Sequence, residues 1–177
     1  DLDVYLGELR SKGQHDLLAR HTRQLLEEGR QGVRGRHEAV DVHGSLKPGN
    51  IMVVLSSDGT AHAKLIDFGW TREATVDANP FVLVRYPGTA KYAPPETRDQ
   101  GILYRVRPQM AEIWTVAASF YYAIIGEPVP VDHATHQADV GRVEPDTLRA
   151  LFARMLHEDP EKRPTAADAL NNVYFTQ

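Results

Sequence analysis

The chain has 177 residues, 42% hydrophobic and 25% charged, with a net charge of −4, so the expected organisation is one domain whose core buries roughly 70% of the unfolded surface. The acidic balance gives no general electrostatic reason to bind nucleic acid or an anionic membrane. Cysteine is absent, which excludes disulfides, thiolate metal sites and cysteine nucleophiles and fits an intracellular setting, cytoplasm or nucleus.

In chain order, DLDVYLGELRSKG (1–13) places Leu2, Tyr5, Leu6 and Leu9 at helical spacing, with Gly13 as a stop. A second helix is predicted over 15–30, with Leu17, Leu18, Leu25 and Leu26 on its buried side. The glycines of GRQGVRG (29–35) have the wrong spacing for a phosphate loop, so the segment reads as a frayed helix end. The basic run from Arg30 to Arg36 reads as its solvated surface. No secretory leader is read at the start, and an opening on Asp1 rather than Met reads as a processed or excised piece.

Between 38 and 70 the texture changes. AVDVH, NIMVVL and HAKLID are β-prone runs, the last two predicted as a hairpin around SSDGT (56–60). Residues 71–107 hold no sustained period and carry Pro80, Pro87, Pro94 and Pro95, which predicts a long ordered loop. The segment 108–125 is apolar nearly all round, the pattern of a central buried helix. Its apolar stretch is shorter than the ~20 residues a membrane span needs. Residues 127–144 read as irregular. An amphipathic helix is predicted over 145–159 with Leu148, Leu151, Phe152 and Met155 inward, and another over 165–175 capped by Thr165 and Asp168. His133 and His136 of HATH find no third ligand at a convincing spacing, so a metal role is not expected there.

Five pieces stand in one order: HGSLKPGN (43–50), DFG (67–69), GTAKYAPPE (88–96), EIWTVAA (112–118) and DPEKRP (159–164). The ordered set resembles the C-terminal lobe of protein kinases of the serine/threonine type, over essentially the whole chain. That resemblance implies a mainly α (α+β) fold, residues 1–177 forming one lobe: a helical bundle with a few short strands around a catalytic loop at 43–50. An activation and peptide loop at 70–96 and a central helix at about 108–125 complete it. It also implies ATP and magnesium as cofactors and a protein substrate or partner.

By the same resemblance Asn50 and Asp67 would hold magnesium, which prefers oxygen donors. Lys47 would steady the transferred phosphate, and Met52 would lie under the adenine ring. Thr89 would tie the peptide loop to the catalytic loop, Glu96 would pair with Arg163, and Trp114 would sit in the core. Glu112 stands where the family has an aspartate bonding the catalytic-loop backbone, and its longer arm puts the loop geometry in question.

Three departures matter. The N-terminal lobe has no counterpart here: neither its glycine-rich loop, nor its V-A-I-K lysine, nor its regulatory-helix glutamate occurs in the sequence, so nucleotide binding is expected to be weak. Ser45 occupies the position of the catalytic aspartate, and losing a positioned general base costs ~10²–10⁴-fold in rate. Gly44 replaces the arginine that commonly receives a phosphorylated activation loop, so loop phosphorylation at Thr71, Thr75 or Thr89 is not expected to act through position 44. The readings are a pseudokinase-like binding module, a fragment or inactivated variant of an active kinase, and a nucleotidyl transferase on the same fold.

Overall fold

The computed structural model describes residues 1–39, 41–69, 71–73, 82–84, 89–97 and 104–176. Helix α1 (Leu2–Ser11) starts where the Asp1 carboxylate accepts the Val4 N–H, and it buries Leu2, Leu6 and Leu9. It stops at Gly13, whose φ of +66° lets Gln14 N–H reach back to the Leu9 carbonyl at 3.0 Å.

Helix α2 (His15–Glu38) runs eight residues past the predicted end at 30 and passes through the glycine-rich segment unbroken. Packing explains one of the glycines: a Cβ at Gly32 would press on Leu65 Cδ1 at 3.1 Å, whereas one at Gly29 would make ordinary contact with the Phe120 ring at 3.7 Å and one at Gly35 would meet nothing. With Val33 also buried, tertiary contact outweighs the helix penalty of glycine, ~1 kcal/mol per residue. The solvated-end reading of 30–36 is therefore corrected: Arg30 is fully buried and Arg36 is half-buried, while Arg34 stays exposed and pairs with Glu38.

Strand β1 (Asp41–Val42) leads into the 43–50 loop, which closes in one 3-10 turn at Pro48–Asn50. Strands β2 (Ile51–Leu55) and β3 (Ala61–Leu65) form an antiparallel hairpin with Val53 opposite Ala63, turning at Gly59, φ +84°. Glu28 of α2 fastens this hairpin: Oε2 accepts the Ala63 N–H at 2.7 Å, and Oε1 meets His62 Nδ1 at 3.0 Å.

The long ordered loop predicted over 71–107 lies partly outside the described residues, and Thr75 with it. Where described it contains strands: β4 (Arg72–Glu73) pairs with β1, and β5 (Val82–Val84) pairs with β6 (Tyr104–Val106). Short non-local pairings of two or three residues leave no periodic trace in sequence.

Helix α3 (Pro108–Ile125) is the axis of the core, with every residue from Ala111 to Tyr121 buried. Helices α1, α2 and α4 (Asp146–Met155) pack around it. It ends at Gly126, φ +88°, where Arg10 reaches across from α1 to donate to the Ala123 carbonyl at 3.0 Å. Residues 127–144 are irregular apart from one bridge, Val131 to Ala138. The helix predicted over 165–175 divides into α5 (Ala166–Leu170), with its Thr165–Asp168 capping box, and α6 (Val173–Thr176). At the break the Asn172 side chain accepts the Tyr174 N–H at 3.0 Å, an asparagine competing with the helix for a backbone donor. Among the described residues no helix is long and apolar enough to cross a membrane, and no group of three or more His, Asp or Glu side chains is placed to hold a metal ion.

Candidate functional site

The 43–50 loop is held from below by one buried carboxylate. Glu112, in the first turns of α3, accepts the His43 N–H at 2.7 Å and the Gly44 N–H at 3.1 Å with the same oxygen, Oε1. Its other oxygen accepts from His37 Nε2 at 2.9 Å, in the last turn of α2. The longer arm of a glutamate thus keeps both loop contacts, and a histidine takes up the second oxygen. Gly44 has φ +80°, a backbone that side chains rarely adopt.

His43 is fully buried, and its Nε2 lies 2.9 Å from the Ile66 carbonyl. A carbonyl oxygen only accepts, so in the neutral imidazole Nε2 carries the proton and Nδ1 is the bare acceptor. The Ser45 hydroxyl, 3.4 Å from Nδ1, therefore directs its hydrogen to His43. Ser45 is buried, and its carbonyl accepts from Asn50 Nδ2 at 2.9 Å. That bond uses the amide NH2, and Asn50 Oδ1 makes no hydrogen bond among the described residues. The Asn50 carbonyl in turn accepts the Ile66 N–H at 3.0 Å, which ties the loop to the residue preceding Asp67.

Asp67 sits in left-handed backbone, φ +63°, and its carboxylate makes no ion pair or hydrogen bond among the described residues. An amide oxygen and a carboxylate, the oxygen donors that hard cations prefer, thus stand on chain segments joined by the Ile66–Asn50 backbone bond. Phe68 turns its ring to the His43 imidazole, centroids 4.9 Å apart, and remains 44% exposed.

The protein kinase domain model matches residues 6–175. This chain belongs to the protein kinase domain family. Three relatives show how far the likeness extends. It is 26% identical to mitogen-activated protein kinase 16 of Oryza sativa over 93% of this chain and 40% of that protein. It is 26% identical to an Aurora kinase of Schizosaccharomyces pombe over 80% of this chain and 39% of that protein. It is 29% identical to mitogen-activated protein kinase kinase kinase 15 of Mus musculus over 89% of this chain and 12% of that protein. The chain thus spans two fifths or less of these relatives. The family's general chemistry is phosphate transfer from ATP with magnesium.

In this kinase-domain chain Lys47 is half-buried in extended backbone and makes no ion pair among the described residues, and Met52, on β2, is 38% exposed. Thr89 is exposed, and its hydroxyl makes no bond to the 43–50 loop; its carbonyl accepts the Tyr92 N–H instead. Next to it, Lys91 Nζ lies 3.8 Å from the Tyr122 ring centroid, and its hydrogen bond to Tyr92 raises its pKa. Glu96 and Arg163 meet in a fork of two 2.7 Å bonds. Arg163 is buried, donates also to the His157 and Met110 carbonyls, and lies 5.0 Å over the Trp114 ring.

Sequence reasoning missed His37 and Arg36. Arg36 closes the run read as a solvated helix end and His37 lies just past it, and with the helix predicted to stop at 30 neither stood at a recognised terminus. Cations there face the helix C-terminus and whatever loop follows it.

Proposed function

We propose that this kinase-domain chain is a C-terminal-lobe-like unit, deficient in phosphotransfer, that works by binding a protein partner. In this reading Asn50 Oδ1 and the Asp67 carboxylate hold magnesium, which would neutralise polyphosphate charge. Lys47 meets the phosphate, Met52 offers an apolar floor to adenine, and the 89–96 turn with its Glu96–Arg163 anchor carries the peptide-facing surface. The single observation that carries the proposal is Ser45. The loop from 43 to 50 holds no carboxylate, and the side chain at the base position is a serine 3.4 Å from His43 Nδ1. A neutral hydroxyl is far too weak a base to take the proton of a substrate alcohol near pH 7.

A specific observation favours a second reading, a fragment or inactivated variant of an active serine/threonine kinase. The oxygen donors of Asn50 Oδ1 and Asp67 make no hydrogen bond among the described residues, and Glu112 holds the loop at the His43 and Gly44 amides. Magnesium–ATP thermal shift and phosphate transfer to a protein substrate, measured on the chain in its parent protein with Ser45 and with Ser45→Asp, separate the two. The binding reading expects no transfer in either form. Transfer that appears only with Ser45→Asp establishes the second reading, and transfer by the Ser45 form overturns both.

A further inference from the structure

The serine that cannot take a proton is placed to give one. Ser45 Oγ stands 3.4 Å from His43 Nδ1. The Ile66 carbonyl, 2.9 Å from Nε2, fixes the tautomer in which Nδ1 is the bare acceptor. Hydroxyl, base and orienting group therefore follow one another, the order that activates a nucleophile, and 3.4 Å falls within the looser spacing such pairs show before a substrate is bound. The arrangement is held from several sides. His43 is fully buried, the Phe68 ring packs 4.9 Å from its imidazole, and Glu112 Oε1 grips the His43 and Gly44 amides. The Ser45 carbonyl is tied to Asn50 Nδ2 at 2.9 Å. Ser45 itself is buried but not sealed, with 7% of its surface open. A buried hydroxyl needs only some partner. What exceeds that need is a partner that is a base, with its other nitrogen already committed.

We propose that Ser45 is a nucleophile, with His43 as its general base, and that it takes a phosphoryl group onto its own Oγ. The proposal rests on the reading of Asn50, Asp67 and Lys47 as a phosphate-facing set, and the donor is a nucleoside triphosphate. The bond from Ser45 Oγ to the γ-phosphorus forms while the bond from that phosphorus to the bridging oxygen breaks. The electron pair leaves with the nucleoside diphosphate, and the hydroxyl proton passes to His43 Nδ1. The Ile66 carbonyl holds the resulting imidazolium, and the buried Glu112 carboxylate, bonded to the His43 backbone N–H, places negative charge beside it. The product is one phosphoserine per chain. No protein substrate takes part, so the step is distinct from the transfer that Ser45 cannot support as a base. Phosphoserine brings a charge of about −1.5 to −2 to a loop that otherwise holds no carboxylate.

The test uses the chain in its parent protein and acetyl phosphate, a small phosphoryl donor that needs no adenine surface and loses acetate in place of the diphosphate. Peptide mass mapping follows phosphoserine at 45 and, as references, at the exposed Ser56 and Ser57. Ser45 should be modified ~10²-fold faster than the references or more. That advantage should vanish with His43→Gln and in urea, and Ser45→Ala should leave the 43–50 loop unmodified. Magnesium–ATP should yield the same phosphoserine. Modification of Ser45 no faster than Ser56 and Ser57, or an advantage that survives His43→Gln, overturns the inference. If thermal unfolding shows that His43→Gln does not fold, equal rates at Ser45 in the native and urea-unfolded chain do so. Modification by acetyl phosphate but not by magnesium–ATP overturns the nucleoside triphosphate as donor. Acetyl phosphate reads the Ser45–His43 pair without nucleotide, magnesium or protein substrate, so failure here is distinguishable from failure of the binding reading.

Discussion

The guanidinium of Arg30 is fully buried on α2, and none of its three nitrogens has a hydrogen-bond partner among the described residues. The Phe175 ring lies 4.1 Å from its central carbon, with Glu27 acting at longer range. Burial pushes its pKa down to about 9. A fall of three units or more from the ordinary arginine value, at ~1.4 kcal/mol per unit, sets the cost of the buried charge at roughly 4 kcal/mol. The ring returns ~1–2 kcal/mol of that. Arg30→Met keeps most of the aliphatic bulk and discards the charge, so we expect a gain of ~1–4 kcal/mol, the range seen when buried charges give way to apolar side chains.

The pH dependence has a definite sign. The folded-state value lies below the unfolded one, so below pH ~9 the charge destabilises in full. Above it the unfolded chain binds the extra proton, and the penalty fades as pH rises toward the unfolded value. Urea unfolding at pH 7 and pH 10.5 on both chains reads both effects: the gain from Arg30→Met is larger at pH 7. A loss of more than ~1 kcal/mol in Arg30→Met at pH 7 would refute the reasoning, because it would mean the charge has favourable support in solution.

Arg163→Ala leaves the Glu96 carboxylate facing a desolvated hole, and urea unfolding should show a loss of ~3–5 kcal/mol. Glu112→Gln keeps an acceptor for the loop but removes its charge. We expect a loss of ~1–3 kcal/mol together with faster hydrogen exchange at the His43 and Gly44 amides, and unchanged exchange there would contradict the anchoring role. Gly126→Ala puts a side chain at φ +88° with its Cβ 2.7 Å from Arg10 Nη2. Thermal unfolding should show a loss of ~1–3 kcal/mol, most of which persists in an Arg10→Ala background because the backbone strain remains.

What could be read ahead of the structure followed from local rules. The α3 helix declared itself because an uninterrupted apolar run bounded by Pro108 and Gly126 has few other solutions. The Thr165–Asp168 cap was legible because it spans three residues. The errors came where distant packing overruled local chemistry. Gly29 and Gly32 look like helix breakers in sequence, yet α2 runs through both, and Gly32 lets it approach Leu65. The division between α5 and α6 turned on one asparagine side chain. At the site, residue types such as Asp67 and Asn50 were conspicuous within their motifs. The support beneath the loop was not, because His37 and Glu112 lie 75 positions apart and nothing in the spacing joins them.

The bond from Ala63 to Glu28 also bears on how the hairpin meets other chains. An outer strand ordinarily presents its outward N–H groups as a template for further strands. Here a helix carboxylate already occupies the Ala63 donor, in the seat that a third strand would take. A peptide adding along β3 would have to break a charge-assisted bond before forming its own. Assembly by strand addition is disfavoured on that side of the hairpin, at the cost of a single glutamate.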